Sequence, residues 1–274
     1  MKSASVSVCI PTHNARPFLR ETLRSVLDQT CPPTEIIISD DASTDDTLAI
    51  VDEMRDDRFT VLRHDTNLGA EQNWNVACSA SSGEHLKLLC QDDVLLPTCL
   101  EIQSEALKAN PGSVFTWSPR DVVTPRGRRL LRSRGYRPTR SVVTLDDVLV
   151  ELVRSGTNPF GEPCAVLMRR SAFDATTGFH GRYLIDLNMW IDLLGLGPAV
   201  FVGETLSQFR ISTTSWTARL RHEHARQLAD LHTDLLRRYP QIIDEADVGL
   251  GTKEAQRLQF QRSILIASLG FLRI

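Results

Sequence analysis

Residues 35–47 read Glu35-Ile36-Ile37-Ile38-Ser39-Asp40-Asp41-Ala42-Ser43-Thr44-Asp45-Asp46-Thr47. The first five residues form a short, mostly apolar run, which is typical of a buried β-strand. Two carboxylates follow at once, and residues 43–46 then supply capping side chains and early acidic charge for a helix. The stretch therefore predicts a strand that ends in an acidic pair and leads into a helix extending to about Met54.

The same alternation of strand and helix extends over the first 117 residues. The predicted strands are residues 6–10, 35–39, 59–63, 84–90 and 113–117, and the predicted helices are residues 17–29, 43–54, 71–81 and 97–109. This order is typical of parallel βαβ units, whose ligands bind beyond the carboxyl ends of the strands. Polar clusters follow three of the strands at those ends: Thr12-His13-Asn14, Asp40-Asp41 and Gln91-Asp92-Asp93.

The pattern changes after residue 118. We expect a hairpin over 121–131, a helix over 144–154, strands over 164–168, 199–202 and 205–209, a short helix over 187–194, and long helices over about 217–238 and 253–269. Residues 120–140 contain eight arginines and one aspartate. This positive segment is either a solvated hairpin and loop or a contact for phosphate groups or an anionic membrane surface.

Composition excludes several classes of protein. The chain has 274 residues, 42% hydrophobic and 24% charged, with a formal net charge of −3. These values exclude a strongly basic nucleic-acid binder and an acidic disordered chain. No apolar run approaches the roughly 20 residues that a membrane span needs. The N-terminus does not resemble a signal peptide, so we expect a cytoplasmic protein.

Cysteine and histidine patterns do not favour a metal centre. None of the six cysteines forms a C-x-x-C pair and several lie in apolar runs, which favours buried, reduced thiols. His222, Glu223, His224 and His232 do not have the H-E-x-x-H spacing of zinc enzymes. We expect these histidines to lie on a solvated helix face.

Taken together, the motifs resemble those of family 2 glycosyltransferases with the GT-A fold. They occur in family order over about residues 4–216: Val6-x-x-Cys9-Ile10-Pro11-Thr12-His13-Asn14, residues 40–47, Asn67-Leu68-Gly69, Gln91-Asp92-Asp93, Asn158-x-x-Gly161-Glu162-Pro163, Asp186-x-x-x-Trp190 and Leu206-x-x-Phe209-Arg210. The resemblance implies an α/β fold with a mostly parallel central sheet flanked by helices. It implies a GT-A domain over 1–218, with a nucleotide-sugar half to about 117, an acceptor half over 118–218, and a helical C-terminal extension over 219–274.

The resemblance also implies an inverting transfer of a sugar from a UDP- or dTDP-sugar to an acceptor hydroxyl, in cell-surface polysaccharide or glycolipid assembly. The residues that it assigns to the donor are Pro11, Thr12, Asn14, Asp40, Asp41, Asn67, Asp92 and Arg210. Asp41 would contact the base, since a carboxylate accepts from the imide N–H of uracil or thymine. Arg210 would bind the diphosphate in fork geometry, although Ser212 stands where many members have His.

Asp92 and Asp93 occupy the position of the family's metal motif. A divalent cation held by one or two carboxylates and phosphate oxygens would neutralise the diphosphate, so the resemblance implies Mn²⁺ or Mg²⁺. It assigns Asp93 as the direct ligand and Asp92 as a second ligand or ribose contact. Gln91 at the first position predicts sparse coordination.

Asp186 is the candidate general base by the same resemblance, with Ile185 where many members have a second acid. Apolar neighbours would raise the pKa of Asp186 and the helix N-terminus would lower it, so the sign stays open. Asp186 could instead only cap its helix. Glu162 and Trp190 are candidates for the acceptor or sugar pocket, and Asp192 is expected at the surface.

Two other classes of function remain open from sequence. One is a non-catalytic nucleotide-sugar or glycan-binding module on the same fold, and the other is a nucleotidyltransferase. The expected partners are a nucleotide-sugar donor and a saccharide or lipid-linked acceptor, without nucleic acid. The apolar end over residues 264–272 would pack on the domain, form a homodimer through the C-terminal helices, or lie on a membrane.

Overall fold

The structure is a computed structural model that describes residues 4–213 and 215–271. The strands are β1 Val6–Thr12, β2 Glu35–Asp40, β3 Phe59–Arg63, β4 His85–Leu88, β5 Val94–Leu95, β6 Phe115–Trp117, β7 Arg120–Val123, β8 Arg129–Arg134, β9 Val142–Val143, β10 Val166–Arg169, β11 Ala199–Phe201 and β12 Ser207–Arg210. The helices are α1 Leu19–Leu27, α2 Thr47–Glu53, α3 Ala70–Ser79, α4 Cys99–Ala109, α5 Leu145–Arg154, α6 Arg170–Asp174, α7 Ile185–Leu194, α8 Trp216–Arg219, α9 His224–Arg238 and α10 Glu245–Phe271.

The central sheet has eight strands in the order β3-β2-β1-β4-β10-β6-β11-β9. β1 pairs in parallel with β2 and β4, and β2 pairs in parallel with β3. β10 is antiparallel to both β4 and β6. The chain moves from β1 to β2 and β3 on one side and returns to β4 on the other. The strand order therefore reverses beside β1, which is where parallel sheets form ligand crevices.

A second sheet of four strands, in the order β5-β12-β7-β8, lies in the second half of the chain. β7 and β8 form the hairpin predicted for residues 121–131, and β12 pairs in parallel with β7. β5 was not predicted, because two residues give no pattern that sequence reasoning can detect. This small sheet brings β12 to the edge of the crevice, since β5 begins directly after Asp93 and pairs with β12.

The predicted α/β architecture is confirmed, and most element boundaries differ by only a few residues. Helix α2 begins at Thr47 instead of 43 because the preceding side chains bond locally: Asp45 accepts from the backbone N–H of Thr47 at 3.0 Å. The predicted strand over 164–168 begins as a 3₁₀ turn, Pro163–Ala165. The predicted helix over 217–238 is broken at 220–223, and α10 begins at Glu245, eight residues before the predicted start at 253.

The C-terminal helices pack into the core of the second half of the chain. One buried apolar cluster contains Trp117, Phe160 and Trp190 together with Leu228 of α9 and Ala255 of α10. The domain boundary at residue 218 stays a prediction, and the helices beyond it share this core. The described part of the chain contains no helix that is both long and apolar enough to cross a membrane.

Helix α10 lies so close to α5 that its backbone contacts the end of α5 directly. A Cβ at Gly251 would lie 2.0 Å from the carbonyl oxygen of Val153. A Cβ at Gly156, which has a φ of +58°, would lie 2.5 Å from the backbone nitrogen of Ala255. Glycine at these two positions is what allows the helix to approach.

We expect Gly251→Ala to lower the free energy of unfolding by about 1–3 kcal/mol, because the new methyl group meets backbone that must move. Gly249→Ala is the matched control in the same helix, since a Cβ there has no heavy atom within 4 Å. That control should be neutral or stabilising by about 0.5–1 kcal/mol. Urea unfolding of the two variants tests the difference. Equal midpoints would contradict the close approach.

Candidate functional site

A cavity of about 790 Å³ lies beyond the carboxyl ends of β1, β2 and β4. Of the residues predicted from sequence, these line it: Pro11, Thr12, Asn14, Asp41, Asn67, Asp92, Glu162 and Asp186. Asp40, Asp93, Trp190 and Arg210 do not line it. The cavity thus brings together side chains from 11 to 186 that are far apart in the sequence.

Asp40 and Asp41 separate into two different roles. Asp40 is 2% exposed and accepts hydrogen bonds from Thr12 Oγ1 at 3.0 Å and Ser43 Oγ at 2.6 Å, so it holds the loop before α2 instead of facing the cavity. The carboxylate of Asp41 faces the cavity and accepts from the backbone N–H groups of Leu68 and Gly69 at 2.5 and 3.0 Å. These bonds leave acceptor sites on Asp41 for a ligand.

The loop after β1 is tied to two neighbouring loops. The side chain of Gln91 accepts from the backbone N–H of His13 at 2.7 Å and donates to its carbonyl oxygen at 3.1 Å. Nδ1 of His13 lies 2.7 Å from the carbonyl oxygen of Asp41 and 3.1 Å from Nδ2 of Asn67. Asn14 has a φ of +51° and accepts from the N–H of Thr44 at 2.9 Å. Gln91 therefore joins the loop after β4 to the loop after β1.

The two acids after β4 differ in exposure to the cavity. Asp92 lines the cavity, and burial of its carboxyl raises its pKa to about 6. Asp93 is fully buried, and its Oδ1 accepts from the N–H of Arg210 at 3.0 Å. Burial, followed by the charge of Asp92, raises the pKa of Asp93 well above its ordinary value. Asp93 is therefore an interior group, and Asp92 is the member of the pair that lines the cavity.

A cation at this position would have few protein ligands. Within residues 4–213 and 215–271, no three His, Cys, Asp or Glu side chains form a group that could hold a metal ion. Magnesium in nucleotide sites is usually held by one or two carboxylates together with substrate phosphates and water. The single carboxylate of Asp92 on the cavity wall fits a cation that arrives with a diphosphate.

Arg210 is an interior residue, so its predicted role in diphosphate binding does not fit its position. Its side chain is 1% exposed and forms an ion pair with Glu21, with Nη2 and Oε2 2.7 Å apart. Its Nε donates to the carbonyl oxygen of Asp92 at 2.8 Å, and Nη1 donates to the carbonyl oxygens of Thr124 and Pro125. These bonds occupy the fork that a diphosphate would need.

Asp186 lies on the cavity wall at the start of α7. Its Oδ1 accepts from the N–H of Leu187 at 2.8 Å, and its Oδ2 accepts from Nδ2 of Asn158 at 3.0 Å. Burial raises the pKa of Asp186 to about 7, and the negative charge of Glu162 is the next largest cause of this increase. The pKa of Asp186 is therefore raised, a direction that the sequence left open. A carboxyl that ionises near neutrality is suited to accept a proton.

Glu162 lines the same wall as an ion-paired carboxylate. Its Oε2 accepts from Nε of Arg120 at 2.5 Å, and the guanidinium keeps the pKa of Glu162 below its ordinary value despite burial. Gly161 has a φ of +93°, and a Cβ there would lie 2.9 Å from Cζ of Arg120. Glycine at 161 therefore lets Arg120 reach Glu162. This pairing takes one arginine of the 120–140 segment out of solvent.

Trp190 is a core residue rather than a wall of the pocket. Its side chain is fully buried, and its Nε1 donates to the carbonyl oxygen of Gly161 at 3.1 Å. Its ring packs against Phe115 and Phe179. The prediction that Trp190 lines an acceptor or sugar pocket is corrected: it supports the turn that carries Glu162.

The expected solvated helix face of the C-terminal histidines is wrong for two of them. His224 is 1% exposed and His232 is fully buried. Burial lowers the pKa of His224 to about 3 and that of His232 to about 4. Asp192, expected at the surface, is half-buried and lies 2.8 Å from Nε2 of His180.

Several cavity residues were not among the site residues predicted from sequence. Trp216 and Arg219 lie on α8, which Ser215 caps by accepting from the N–H of Ala218, and both line the cavity. Arg219 is exposed and is the only lysine or arginine among the lining residues of the described chain. Trp74 and Tyr183 also line the cavity. Only the aromatic residue within a Ser/Thr-rich loop, at 212–216, signalled any of these from sequence.

These features define an α/β fold with an acidic crevice beyond the strand ends, and comparison with known proteins identifies its class. Residues 7–177 match the family described as Glycosyl transferase family 2, which is more than half of the chain. The protein belongs to this family.

Relatives over most of the chain support the assignment. The chain is 30% identical over 231 residues to the uncharacterized protein MT1568 of Mycobacterium tuberculosis (strain CDC 1551 / Oshkosh), covering 78% of this chain and 70% of that protein. It is 29% identical over 221 residues to the putative teichuronic acid biosynthesis glycosyltransferase TuaG of Bacillus subtilis (strain 168), covering 78% and 83%.

Solved structures of similar fold show the GT-A architecture. The mannosyltransferase PcManGT from Pyrobaculum calidifontis, in complex with GDP-Man and Mn²⁺, has a TM-score of 0.64 at 16% identity, over 98% of this chain and 76% of that chain. S. aureus TarS 1–349, in complex with UDP-GlcNAc, has a TM-score of 0.63 at 19% identity, over 94% and 73%. At these identities the likeness shows the fold.

The raised pKa of Asp186 has a consequence for stability. In the unfolded chain an aspartate ionises near pH 3.9. Between about pH 4 and pH 7 the folded state therefore binds more protons than the unfolded state, and this group's contribution to stability falls as pH rises. Asp186→Asn does not titrate. We expect its free energy of unfolding, relative to the parent, to rise between pH 5 and pH 8, on the order of 1–2 kcal/mol. Urea unfolding at both pH values measures this, and a constant difference would contradict it.

Proposed function

We propose that this protein transfers a sugar from a nucleotide diphosphate donor to an acceptor hydroxyl, with inversion at the anomeric carbon. The observation that carries the proposal is that Asp41, Asp92 and Asp186 line one cavity beyond the strand ends. Membership of the glycosyltransferase family and the titles of the fold neighbours, which name GDP-Man and UDP-GlcNAc, support a nucleotide-sugar donor. The proposed donor is a UDP- or dTDP-sugar.

The donor would lie over the first half of the cavity. Asp41 accepts from the N–H of the base through the oxygen sites that Leu68 and Gly69 leave unused. Pro11, Thr12, Asn14 and Asn67 surround it and contact the base or ribose. Since Arg210 is occupied, Arg219 is the group that we assign to the diphosphate. Its guanidinium is suited to bidentate phosphate binding.

Asp92 is the residue that would hold Mn²⁺ or Mg²⁺ with the donor. Such a cation, when bound, stabilises negative charge on the leaving diphosphate. Asp93 lies behind Asp92 in the interior, with Oδ2 lacking a hydrogen-bond partner among the described residues. Metal dependence is part of the proposal and rests on the position of Asp92 and on the chemistry of the diphosphate.

The reaction needs one proton acceptor and no covalent intermediate. The carboxylate of Asp186 takes the proton of the acceptor hydroxyl while its oxygen forms a bond to the anomeric carbon. The bond from that carbon to the diphosphate oxygen breaks, and the diphosphate leaves with the electron pair. Asn158 and the N–H of Leu187 hold the carboxylate in place, and Glu162 with Tyr183 lines the acceptor side.

Assembly of a cell-surface polysaccharide or glycolipid is supported by the name of the relative TuaG. The exposed arginines of β8, which include Arg129, Arg132 and Arg134, are consistent with an anionic acceptor or membrane surface. Peripheral membrane association and a homodimer through the C-terminal helices stay predictions. The apolar end predicted over 264–272 lies partly outside the described residues, and Phe260 and Ile264 of α10 are exposed.

Asp186→Asn should lower turnover by roughly 10²–10⁴-fold, because a general base contributes that much to the rate. Donor affinity should persist. The variant keeps the acceptor for the N–H of Leu187 but presents a second donor to Asn158, so a stability loss of about 1 kcal/mol is expected. Turnover with a panel of acceptors and donor affinity by calorimetry test this.

Asp192→Asn is the matched control for that experiment. Asp192 lies on the same helix but bonds to His180 and does not line the cavity. Its turnover should stay near that of the parent. If Asp186→Asn transfers sugar at the parent rate, Asp186 is not the base. If the parent itself binds nucleotide-sugars without transferring or hydrolysing them, the protein is a binding module.

Asp92→Asn should remove the enhancement of nucleotide binding by Mn²⁺ while leaving binding in EDTA nearly unchanged. Asp41→Asn should instead weaken binding of the nucleotide equally with and without the cation, because it alters the base contact. Calorimetric titration of UDP and dTDP in both buffers distinguishes the two effects. Nucleotide affinity and turnover that EDTA leaves unchanged in the parent would remove the metal from the proposal.

A further inference from the structure

Arg262 of the C-terminal helix α10 forms hydrogen bonds with two segments that lie next to Asp186. Nη2 of Arg262 donates to Oγ1 of Thr157 at 2.7 Å. Nη1 lies 3.1 Å from Oη of Tyr183 and 3.0 Å from Nδ1 of His224. Arg262 is half-buried, and its partners are 38 to 105 residues away in the sequence.

Both segments involve Asp186: one contacts its carboxylate through Asn158, and the other contains it. Thr157 precedes Asn158, whose Nδ2 donates to Oδ2 of Asp186 and to the carbonyl oxygen of Gly161. Tyr183 lies three residues before Asp186 and itself lines the cavity. The two hydrogen bonds of Arg262 thus fix one segment that orients the carboxylate and the other segment that carries it.

His224 completes this arrangement and fixes the orientation of the guanidinium. Arginine only donates, so Nδ1 of His224 accepts. The ring is then neutral with its proton on Nε2, which donates to the carbonyl oxygen of Gly156 at 3.1 Å. The lowered pKa of His224 agrees with this tautomer. The ring also meets Tyr183 edge to face, with centroids 5.4 Å apart.

Close backbone contact keeps α10 in the position from which Arg262 reaches these partners. Glycines 156 and 251 allow α10 to touch the loop after α5, and Ala255 is fully buried in that contact. The backbone N–H of Ala225 also donates to Oε1 of Gln259, one turn before Arg262. The helix is therefore held both by the end of α5, just before Asn158, and by α9.

We propose that Arg262 is a positioning residue for the transfer reaction, through which the C-terminal helix holds Asn158 and Tyr183 in register with Asp186. This rests on the proposed function for its catalytic readout. The residue touches neither donor nor acceptor. It acts by keeping the carboxylate and the acceptor wall in one arrangement, and misplacement of reacting groups by about 1 Å can cost roughly 10²-fold in rate.

The test compares Arg262→Gln with Arg257→Gln. Arg257 lies on the same helix, and its only ion pair is with Glu254 within that helix among the described residues. Arg262→Gln should lower kcat by roughly 10–10²-fold with the donor Kd unchanged. Arg257→Gln should leave both near the parent values. Arg262→Lys, which keeps the charge but loses the fork, should fall between them.

Hydrogen exchange of the backbone provides a readout that does not need activity. In Arg262→Gln, exchange should increase within residues 157–162 and 183–187 and stay at parent level in β1, β2 and β4. That pattern with reduced kcat supports the proposal. Unchanged kcat, or increased exchange throughout the chain with a loss of donor binding, overturns it.

A parent protein that transfers no sugar would refute the proposed function, and the exchange pattern would still decide whether Arg262 orders the two segments. If Arg262→Gln does not fold, Thr157→Val removes one of the two bonds while keeping the shape of the side chain. It should produce the same exchange increase confined to residues 157–162. Parent-level exchange there would overturn the proposal.

Discussion

The buried guanidinium of Arg210 joins four parts of the chain that are distant in sequence. It pairs with Glu21 of α1, donates to the carbonyl of Asp92, and donates to the carbonyls of the turn between β7 and β8. A buried charge is costly unless its hydrogen-bonding groups are satisfied, so these segments must converge on it. Their convergence holds the acidic loop after β4 against β12 and thereby leaves Asp92 on the cavity wall.

The first half of the fold follows from local sequence because parallel strands buried on both faces appear as continuous apolar runs. The ends of those runs also located the crevice. Local sequence did not predict which of two neighbouring acids faces the cavity. Asp40 faces Thr12 and Ser43 while Asp41 faces the cavity, and Asp93 faces Arg210 while Asp92 faces the cavity. Which member of a pair faces a ligand depends on where the strand ends and its turn begins, and sequence boundaries are uncertain by that one residue.

The second half depends on contacts between segments that no local pattern reveals. A sequence motif predicted that Arg210 contacts the donor, but its side chain is bonded to α1 and to the β7–β8 turn. Arg219, which no motif indicated, lines the cavity from a four-residue helix. The histidines of α9 looked polar, but α10 covers them. Their burial depends on glycines at 156 and 251, whose role is visible only when both helices are placed. Tertiary packing, rather than propensity, therefore decides the second half of the fold.

Trp216 gives the crevice an optical property. Its indole is 41% exposed while it lines the cavity, and its Nε1 donates to the carbonyl oxygen of Arg182 at 3.0 Å. Trp117 and Trp190 are shielded from solvent in the core, and Trp74 is half-buried. A ligand in this cavity would displace water around Trp216 and Trp74 but not around the two buried indoles. The wavelength of the intrinsic emission would therefore report occupancy of the crevice without any added dye.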